Sequence, residues 1–550
     1  MMKISIAQIN SKLGNLAFNS KIILDMVRKA SLDGSDVLIT PELSLTGYPP
    51  EDLLLRPGFI EKVNKSLESL ISAVYDCAPD LTVIVGHPSF SKDRKYLFNT
   101  ATVFREGKII SKYGKLELPN YAVFDERRYF DPDGSPCVFK VKEVNCAINI
   151  CEDVWFPRAP KMAKAAGADI LLVLNASPFH LEKHKERIEV VKKNICKIGL
   201  PSVFCNLVGG QDELIFDGNS FVMSKNGKIL ASAQQFKDDF ITFNFSKTEE
   251  TKTEQIATQD EKLSQIYKAL ILGTKDYARK NGFRSVIVGL SGGIDSALTL
   301  AIAVESMGSK NVTAVMMPSQ FTSKQSLNDA KLCSYNLEVE LQIIDIKTLM
   351  QEFESSLQES FRGLPRDETE ENLQSRIRGT LLMALSNKKK SLLLTTGNKS
   401  EIAVGYCTLY GDMCGGYSVL KDVFKTQIYK LARFINNSDR HTKNGPIPIS
   451  IIDRPPSAEL SHNQLDEDSL PTYEVLDAIL IGYIEKHLSF KDLLNLGYPE
   501  VVVVKVLELI KKSEFKRRQS APGPKITKIS FGRDWRYPIS NNYFEYGDKT

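Results

Sequence analysis

The run Val286-Ile287-Val288-Gly289-Leu290 is followed at once by Ser291-Gly292-Gly293-Ile294-Asp295-Ser296, and then by the apolar stretch ALTLAIAVESM. Such a run reads as a buried strand, and a helix that opens directly after a glycine turn must cross back over the sheet. Further short apolar runs at Val312–Met317, Leu341–Ile344 and Leu392–Thr395, separated by helical stretches, continue the pattern. This alternation predicts a parallel, doubly wound sheet. The adjacent glycines let backbone come close to a ligand. The N–H groups of the helix start then form an anion site, to which Ser291 and Ser296 add hydroxyls. Asp295 would repel a bare phosphate, so a divalent cation is expected between its carboxylate and the phosphate. The loop lacks the G-x-x-x-x-G-K-[ST] spacing, which excludes the Walker type.

Composition bounds the rest. The 550 residues carry 71 Lys plus Arg and 67 Asp plus Glu, so 71 − 67 leaves only +4 and no global field for nucleic acid or an anionic membrane. With 42% hydrophobic and 25% charged residues the chain reads as globular. Its longest apolar runs, such as Ile170–Leu174 and Val501–Val504, fall far short of the roughly 20 residues a membrane span needs. The opening MMKISIAQIN alternates like a strand and lacks a signal-peptide core, so a cytoplasmic setting is expected. Nine Cys, none in a C-x-x-C pair, argue against disulfide and zinc frameworks. His180 and His184 share a helical spacing, but no third ligand accompanies them, so no zinc is expected.

Length alone suggests about three or four domains. The segment SKTEETKTEQIATQD, residues 246–260, is nearly free of branched apolar residues and reads as a linker. It divides the chain into a domain over 1–245 and another over 261–550. In the first, strands are expected at Ile4–Ile9, Val37–Thr40, Thr82–Val85, Cys146–Ile150, Ile170–Leu174 and Ser202–Asn206, with helical patterns at 19–31 and 59–76. Hairpins turn at Glu106-Gly107 and Asn226-Gly227. In the second, 261–281 reads as an amphipathic helix, while 355–372, 437–470 and 513–530 read as long loops of the lid type.

The S-G-G-x-D-S loop resembles that of the N-type ATP pyrophosphatases, which use ATP to adenylate an oxygen and release pyrophosphate. Met317-Pro318-Ser319, Glu371 to Gly379, the block LLTTGNKSEIAVGYCTLYGDMCGGYSVLKDVFKTQIYKLA, RPPSAEL and FGRDWRYPI together resemble the NAD synthetases of that superfamily. The resemblance implies a Rossmann-like domain of the adenine nucleotide alpha hydrolase type. It assigns ATP and pyrophosphate to Ser291, Gly292, Gly293, Asp295, Ser296, Met317, Thr396 and Lys425. It gives Mg²⁺, arriving with ATP, to Asp295 and Glu401. The second substrate would be deamido-NAD, contacted by Asn372, Arg376, Glu401, Asp412 and Lys516. The basic stretch Lys516-Arg517-Arg518-Gln519 reads either as a solvated patch or as an arm closing over that substrate.

At neutral pH free ammonia is mostly protonated, so a synthetase gains from releasing it in a protected site. Pro41-Glu42-Leu43, Gly114-Lys115-Leu116-Glu117, and Cys151-Glu152-Asp153 after a strand resemble the Glu-Lys-Cys blocks of the nitrilase superfamily, whose fold is an α-β-β-α sandwich. The resemblance implies Cys151 as nucleophile, Glu42 as base, Lys115 as oxyanion partner favouring the thiolate, and Glu126 as support for the lysine. It assigns L-glutamine contacts to Tyr48, Tyr121, Glu152, Ser177 and Lys183. The two resemblances together imply an enzyme that amidates deamido-NAD with ammonia channelled from glutamine, working as a homo-oligomer without flavin. Other amidotransferases of the loop superfamily fit less well, because Cys151 sits in Ile-Cys-Glu rather than a G-x-C-x-G elbow and the chain opens Met1-Met2 rather than with Cys. A non-catalytic nucleotide-binding scaffold would be signalled by a damaged triad or loop, and both are intact.

Overall fold

The computed structural model describes residues 1–247, 256–437, 445–461 and 464–546. Contacts divide the chain into two units, Met1–Glu261 and Lys262–Thr550. Of the expected linker, 248–255 lie outside the described residues. Its end is sewn to the first unit: Ile256 bridges Ser232, and the Ala257 N–H donates to Ser232 Oγ at 2.9 Å.

Among the described residues the first unit holds two six-stranded sheets. One begins with Met2–Gln8, flanked by antiparallel Asp239–Phe245 and parallel Val37–Ile39, and continues through Thr82–Phe90, Leu97–Arg105 and Lys108–Gly114. The other sets Val144–Ile150, Ile170–Asn175 and Ser202–Asn206 in parallel at its centre. Period-two alternation builds the layers. Ile4, Ile6, Val37, Ile84, Ile148, Ile150, Leu172 and Leu174 meet in the core between the sheets. Their neighbours Ala7, Leu38 and Val83 face outward onto the helices Leu16–Leu32 and Pro57–Cys77. Ala147, Leu171 and Val173 face the opposite side, with Val191 and Ile195 of the helix Lys183–Ile198. The result is the expected α-β-β-α sandwich, with both hairpin turns where the sequence puts them.

The second unit holds a five-stranded parallel sheet among its described residues, in the order Glu340–Ile343, Val312–Met316, Val286–Gly289, Leu392–Thr395 and Tyr417–Ser418. Strand order reverses between Val286–Gly289 and Leu392–Thr395. Their C-terminal ends therefore open a crevice where a ligand fits. The expected loops are more structured than their composition suggests. Residues 368–372 begin the helix Glu368–Lys389, capped by Asp367, whose Oδ1 accepts from the Thr369 N–H at 2.8 Å. Within 437–470, Ile449–Asp453 is helical, whereas 438–444 and 462–463 lie outside the described residues. Residues 513–530 are pinned by buried polar bonds, with Asp422 Oδ2 accepting from the N–H groups of Ile526 and Thr527, both at 2.7 Å. The Asp367 cap is local, but the partner that holds 513–530 lies far away in sequence, and local composition carries no trace of it.

Candidate active sites

In the first unit three strand ends converge. Glu42 follows Val37–Ile39, Lys115 follows Lys108–Gly114, and Cys151 follows Val144–Ile150. The Lys115 ammonium donates to Glu42 Oε1 at 2.7 Å and to Glu126 Oε1 at 2.8 Å, with its side chain fully buried. Asn99 Nδ2 donates to the same Glu42 oxygen at 2.7 Å, and the Ala176 N–H donates to Glu42 Oε2 at 3.0 Å. Both oxygens of Glu42 are thus aimed. Cys151 is buried and sits at φ +45°, a sparsely populated conformation for a side-chain-bearing residue that turns the thiol off the strand end.

The expected pull of Lys115 on the thiol is present but outweighed. Lys115 does pull the Cys151 thiol down, but burial first and Glu42 next push it up, and its pKa rises. Two carboxylates claim the lysine, so the thiol stays protonated at rest and needs a base. Burial works against the charge on Lys115, yet Glu126 and Glu42 outweigh it and hold the amine protonated.

The expected glutamine contacts fall into two groups. The Tyr121 hydroxyl donates to Glu152 Oε1 at 2.9 Å, and the Lys183 amine lies 4.2 Å from the centre of the Trp155 ring. A thiolate at Cys151 would act on both Tyr121 and Lys183. Tyr48 differs: its hydroxyl donates to Glu126 Oε1 at 2.8 Å and joins the charged cluster. Ser177 is buried, its N–H donating to Asn206 Oδ1 at 3.0 Å. His180 and His184 do not pair as ligands. His180 Nδ1 lies 2.6 Å from the Leu181 carbonyl oxygen, and His184 packs edge-on against Phe221.

In the second unit a cavity of about 280 Å³ opens at the crevice. Ser291, Gly293, Asp295, Ser296, Met317, Thr396, Glu401, Asp412 and Lys425 all line it. Gly292 holds φ +84°, and a Cβ there would lie 2.4 Å from the Ser326 carbonyl oxygen. Ser296 Oγ donates to the Gly293 carbonyl at 2.9 Å and closes the loop on itself. Asp295 heads the helix Ile294–Met307, while Glu401 lies in the first turn of Lys399–Val404. The Lys425 ammonium bridges them, 2.6 Å from Asp295 Oδ2 and 3.0 Å from Glu401 Oε1. Burial, helped by Asp295 and Asp466 and opposed by Lys425, pushes Glu401 up to about 8. Such a site is short of positive charge.

Of the residues expected to hold the second substrate, Asp412 and Glu401 line this cavity, whereas Asn372, Arg376 and Lys516 do not. Asp412 Oδ1 accepts from the Thr408 N–H at 2.6 Å, and the Thr408 hydroxyl donates to Asn372 Oδ1 at 2.7 Å. Arg376 is exposed, its Nε donating to the Leu409 carbonyl at 3.3 Å. Lys516 donates to the carbonyls of Gly405 and Cys407 at 2.8 and 2.7 Å. Its neighbour Arg517 is buried against Glu514 at 2.9 Å. The stretch is thus tied down at Lys516 and Arg517, while Arg518 and Gln519 are exposed.

Several residues on these sites are absent from the sequence reading. Asn398 Nδ2 donates to Asp295 Oδ1 at 2.9 Å, and its Oδ1 accepts from the Glu401 N–H at 3.0 Å. The pattern Asn398-x-x-Glu401 is a capping signal that was readable. Asp477 has no such signal: it accepts from Ser400 Oγ at 2.5 Å and from the Thr426 N–H at 2.9 Å. Arg454 donates to the Gly292 carbonyl at 2.7 Å, and Arg378 to the Met317 carbonyl at 3.0 Å.

Known proteins resemble both units. The carbon-nitrogen hydrolase family model matches residues 3–253, and the NAD synthase model matches 266–520. A glutamine-dependent NAD(+) synthetase of Xylella fastidiosa is 44% identical over 548 residues, covering 98% of this chain and 99% of that protein. One of Thermotoga maritima is 40% identical over 579 residues, covering 99% of each. The solved structure of glutamine-dependent NAD+ synthetase from Acinetobacter baumannii, in complex with adenosine diphosphate, is 41% identical, has a TM-score of 0.78, and covers 99% of both chains. That of Cytophaga hutchinsonii shares the fold, with a TM-score of 0.84 at 22% identity over 98% of both chains.

Proposed function

The chain belongs to the family of glutamine-dependent NAD(+) synthetases, and from that premise we propose how its residues divide the reaction. Overall, glutamine, water, ATP and deamido-NAD become glutamate, NAD+, AMP and pyrophosphate, the closing step of NAD biosynthesis. The observation that carries the reading is the Lys115 ammonium fixed between Glu42 and Glu126 beside a cysteine on a strained turn.

In the first unit Glu42 takes the proton from the Cys151 thiol as sulfur attacks the glutamine side-chain carbonyl. The Lys115 ammonium faces the oxyanion that forms. Glu42 returns the proton to the leaving nitrogen, and ammonia departs from a thioester. Water, deprotonated by Glu42, then releases glutamate and restores the thiol. Tyr121, Glu152, Ser177 and Lys183 orient the substrate's amino acid end, and Tyr48 steadies Glu126.

In the second unit the deamido-NAD carboxylate attacks the α-phosphorus of ATP and pyrophosphate leaves. The 291–296 loop holds the leaving group through its N–H groups and hydroxyls, with Lys425 and Thr396 on the phosphates. Asn372, Arg376, Asp412 and Lys516 position the second substrate. Ammonia passed from the first unit attacks the acyl-adenylate, and AMP leaves as the amide forms.

Asp295 and Glu401 fit a hard divalent ion, since they offer carboxylate oxygens and already hold one cation between them. Among the described residues no three His, Cys, Asp or Glu side chains form a metal cage. Magnesium would thus take its other ligands from phosphate and water. When bound it supplies charge neutralisation to the phosphates. No helix among the described residues is long and apolar enough to cross a membrane. A cytoplasmic homo-oligomer is the setting we propose, and sedimentation of the full chain tests the oligomer.

Purified protein incubated with ATP, Mg²⁺ and deamido-NAD should yield NAD+ with either glutamine or ammonium as donor. No NAD+ from either donor would sink the reading. Cys151→Ala should lower glutamine-driven synthesis more than about 1,000-fold while ammonium-driven synthesis persists.

A further inference from the structure

We propose that Asp153 is a positioning residue that holds the nucleophile turn and the lysine loop in register across the sandwich. The proposal rests on the assignment of glutamine hydrolysis to Cys151. The Asp153 side chain is fully buried, and its two oxygens accept from four donors. Oδ2 receives the Ile150 N–H and the Tyr113 hydroxyl, each at 2.8 Å. Oδ1 receives the N–H groups of Leu116 at 3.0 Å and Glu117 at 2.9 Å. Ile150 immediately precedes Cys151, and Leu116 immediately follows Lys115.

These two segments belong to different sheets. Lys108–Gly114 is the edge strand of one, and Val144–Ile150 lies within the other. No strand ladder joins them, so side chains must set their mutual position. Packing alone leaves such a cross-sheet alignment loose, because apolar contacts are not directional. A carboxylate with one oxygen for each segment is directional on both sides. It also fastens the peptide ahead of a residue held at φ +45°. Only an ionised carboxylate accepts four such bonds. An amide of equal size would turn its NH₂ toward two donors.

Two variants of the full chain test this, with Trp155 emission as the fold readout in a Trp535→Tyr background, since Trp155 closes the same turn. Asp153→Asn should lower kcat for glutamine-driven synthesis about 100-fold, the scale of a misplaced catalytic group. KM for glutamine should stay within about threefold, because substrate contacts are untouched. Ammonium-driven synthesis should match the parent. Tyr113→Phe removes one donor to the carboxylate, and the acceptor of Asn149 Nδ2 at 3.3 Å, so kcat should fall about fivefold while the Trp155 melting midpoint drops only slightly and the unit stays folded at the assay temperature. Tyr113→Phe decides the matter if Asp153→Asn fails to fold. Parental kcat in a folded variant, a change in KM alone, or a loss that only tracks the unfolded fraction would overturn the proposal. Cys151→Ala run in parallel separates the two layers: if it keeps glutamine-driven synthesis, the assignment of the site fails, whatever Asp153 does.

Discussion

Each unit contains a buried lysine shared by two carboxylates, and the two lysines do different work. Lys115 lies 2.7 and 2.8 Å from Glu42 and Glu126, with side-chain exposures of 0%, 0% and 6%. Lys425 lies 2.6 and 3.0 Å from Asp295 and Glu401, whose side chains are 17% and 16% exposed toward a cavity of about 280 Å³. The first triplet is closed, so its ammonium is fixed in place, as the oxyanion role we propose for it requires. The second is open on one side, and its lysine faces the cavity in which we propose that nucleotide and cation gather. One lysine between two carboxylates thus gives a permanent electrostatic fixture or an exchangeable one. Access decides which, because desolvation governs what a charge costs and what can replace its partner.

The largest expected effect breaks the closed triplet. Lys115→Met should abolish glutamine-driven synthesis and destabilise the first unit by about 3–5 kcal/mol, since two buried carboxylates lose their partner. Trp155 and Trp535 are the chain's two tryptophans, one per unit, so single-tryptophan backgrounds resolve this by denaturant melts. An unchanged first-unit midpoint would show that the triplet is not closed. Lys425→Met comes next. Synthesis should fall about 100-fold with either donor, as for the loss of one preorganised charge. The second unit's midpoint should rise with added Mg²⁺ more than the parent's does. A midpoint indifferent to Mg²⁺ would mean the carboxylates are not an exchangeable pair.

A smaller effect sharpens the view of the open side. Gly292→Ala should raise KM for ATP about tenfold, because its Cβ meets Ser326 backbone and its φ of +84° disfavours a side chain. Unaltered ATP kinetics would place phosphate binding elsewhere. A last effect appears only in acid. His87 is fully buried in the first unit, its Nε2 2.7 Å from Thr102 Oγ1, and burial pushes it from 6.5 down to about 4. The unfolded chain therefore binds the proton first. The contribution of neutral His87 is complete above pH 6.5 and shrinks as pH falls toward 4. Relative to His87→Gln, the parent should lose about 3 kcal/mol of first-unit stability over that range. A pH-independent difference would rule the burial of neutral His87 out as its source.

How far the sequence could be read follows from the range of each interaction. The 291–296 loop was legible because strand, turn and helix are consecutive and each announces itself locally. The sandwich was legible as alternating strands, since a period of two in Ile4, Ile6, Cys146, Ile148 and Ile150 dictates which face is buried. The segments 355–372 and 513–530 are loops over 358–367 and 518–530, but helices claim their ends and buried polar bonds hold the second. Their order comes from the Asp367 cap and from Asp422, which bonds backbone more than a hundred residues downstream. Lys115 pulls the Cys151 thiol toward the thiolate as the residue types suggest, but burial and Glu42 outweigh it, and burial is not written locally in the chain.

The sequence by itself determined the two units, the strand ends that carry the reactive residues, and the kind of chemistry those residue types allow. Each of these depends on local periodicity and on motifs only a few residues long. Tertiary structure alone decided that Lys115 is enclosed while Lys425 faces a cavity, that Cys151 rests as a thiol, and that Asp153 and Asp477 tie together segments far apart in sequence. These facts depend on burial and on the direction of individual hydrogen bonds, which exist only once distant strands have met. The identity of a charged residue is written in the chain, but its dielectric surroundings and its partner are set by the fold.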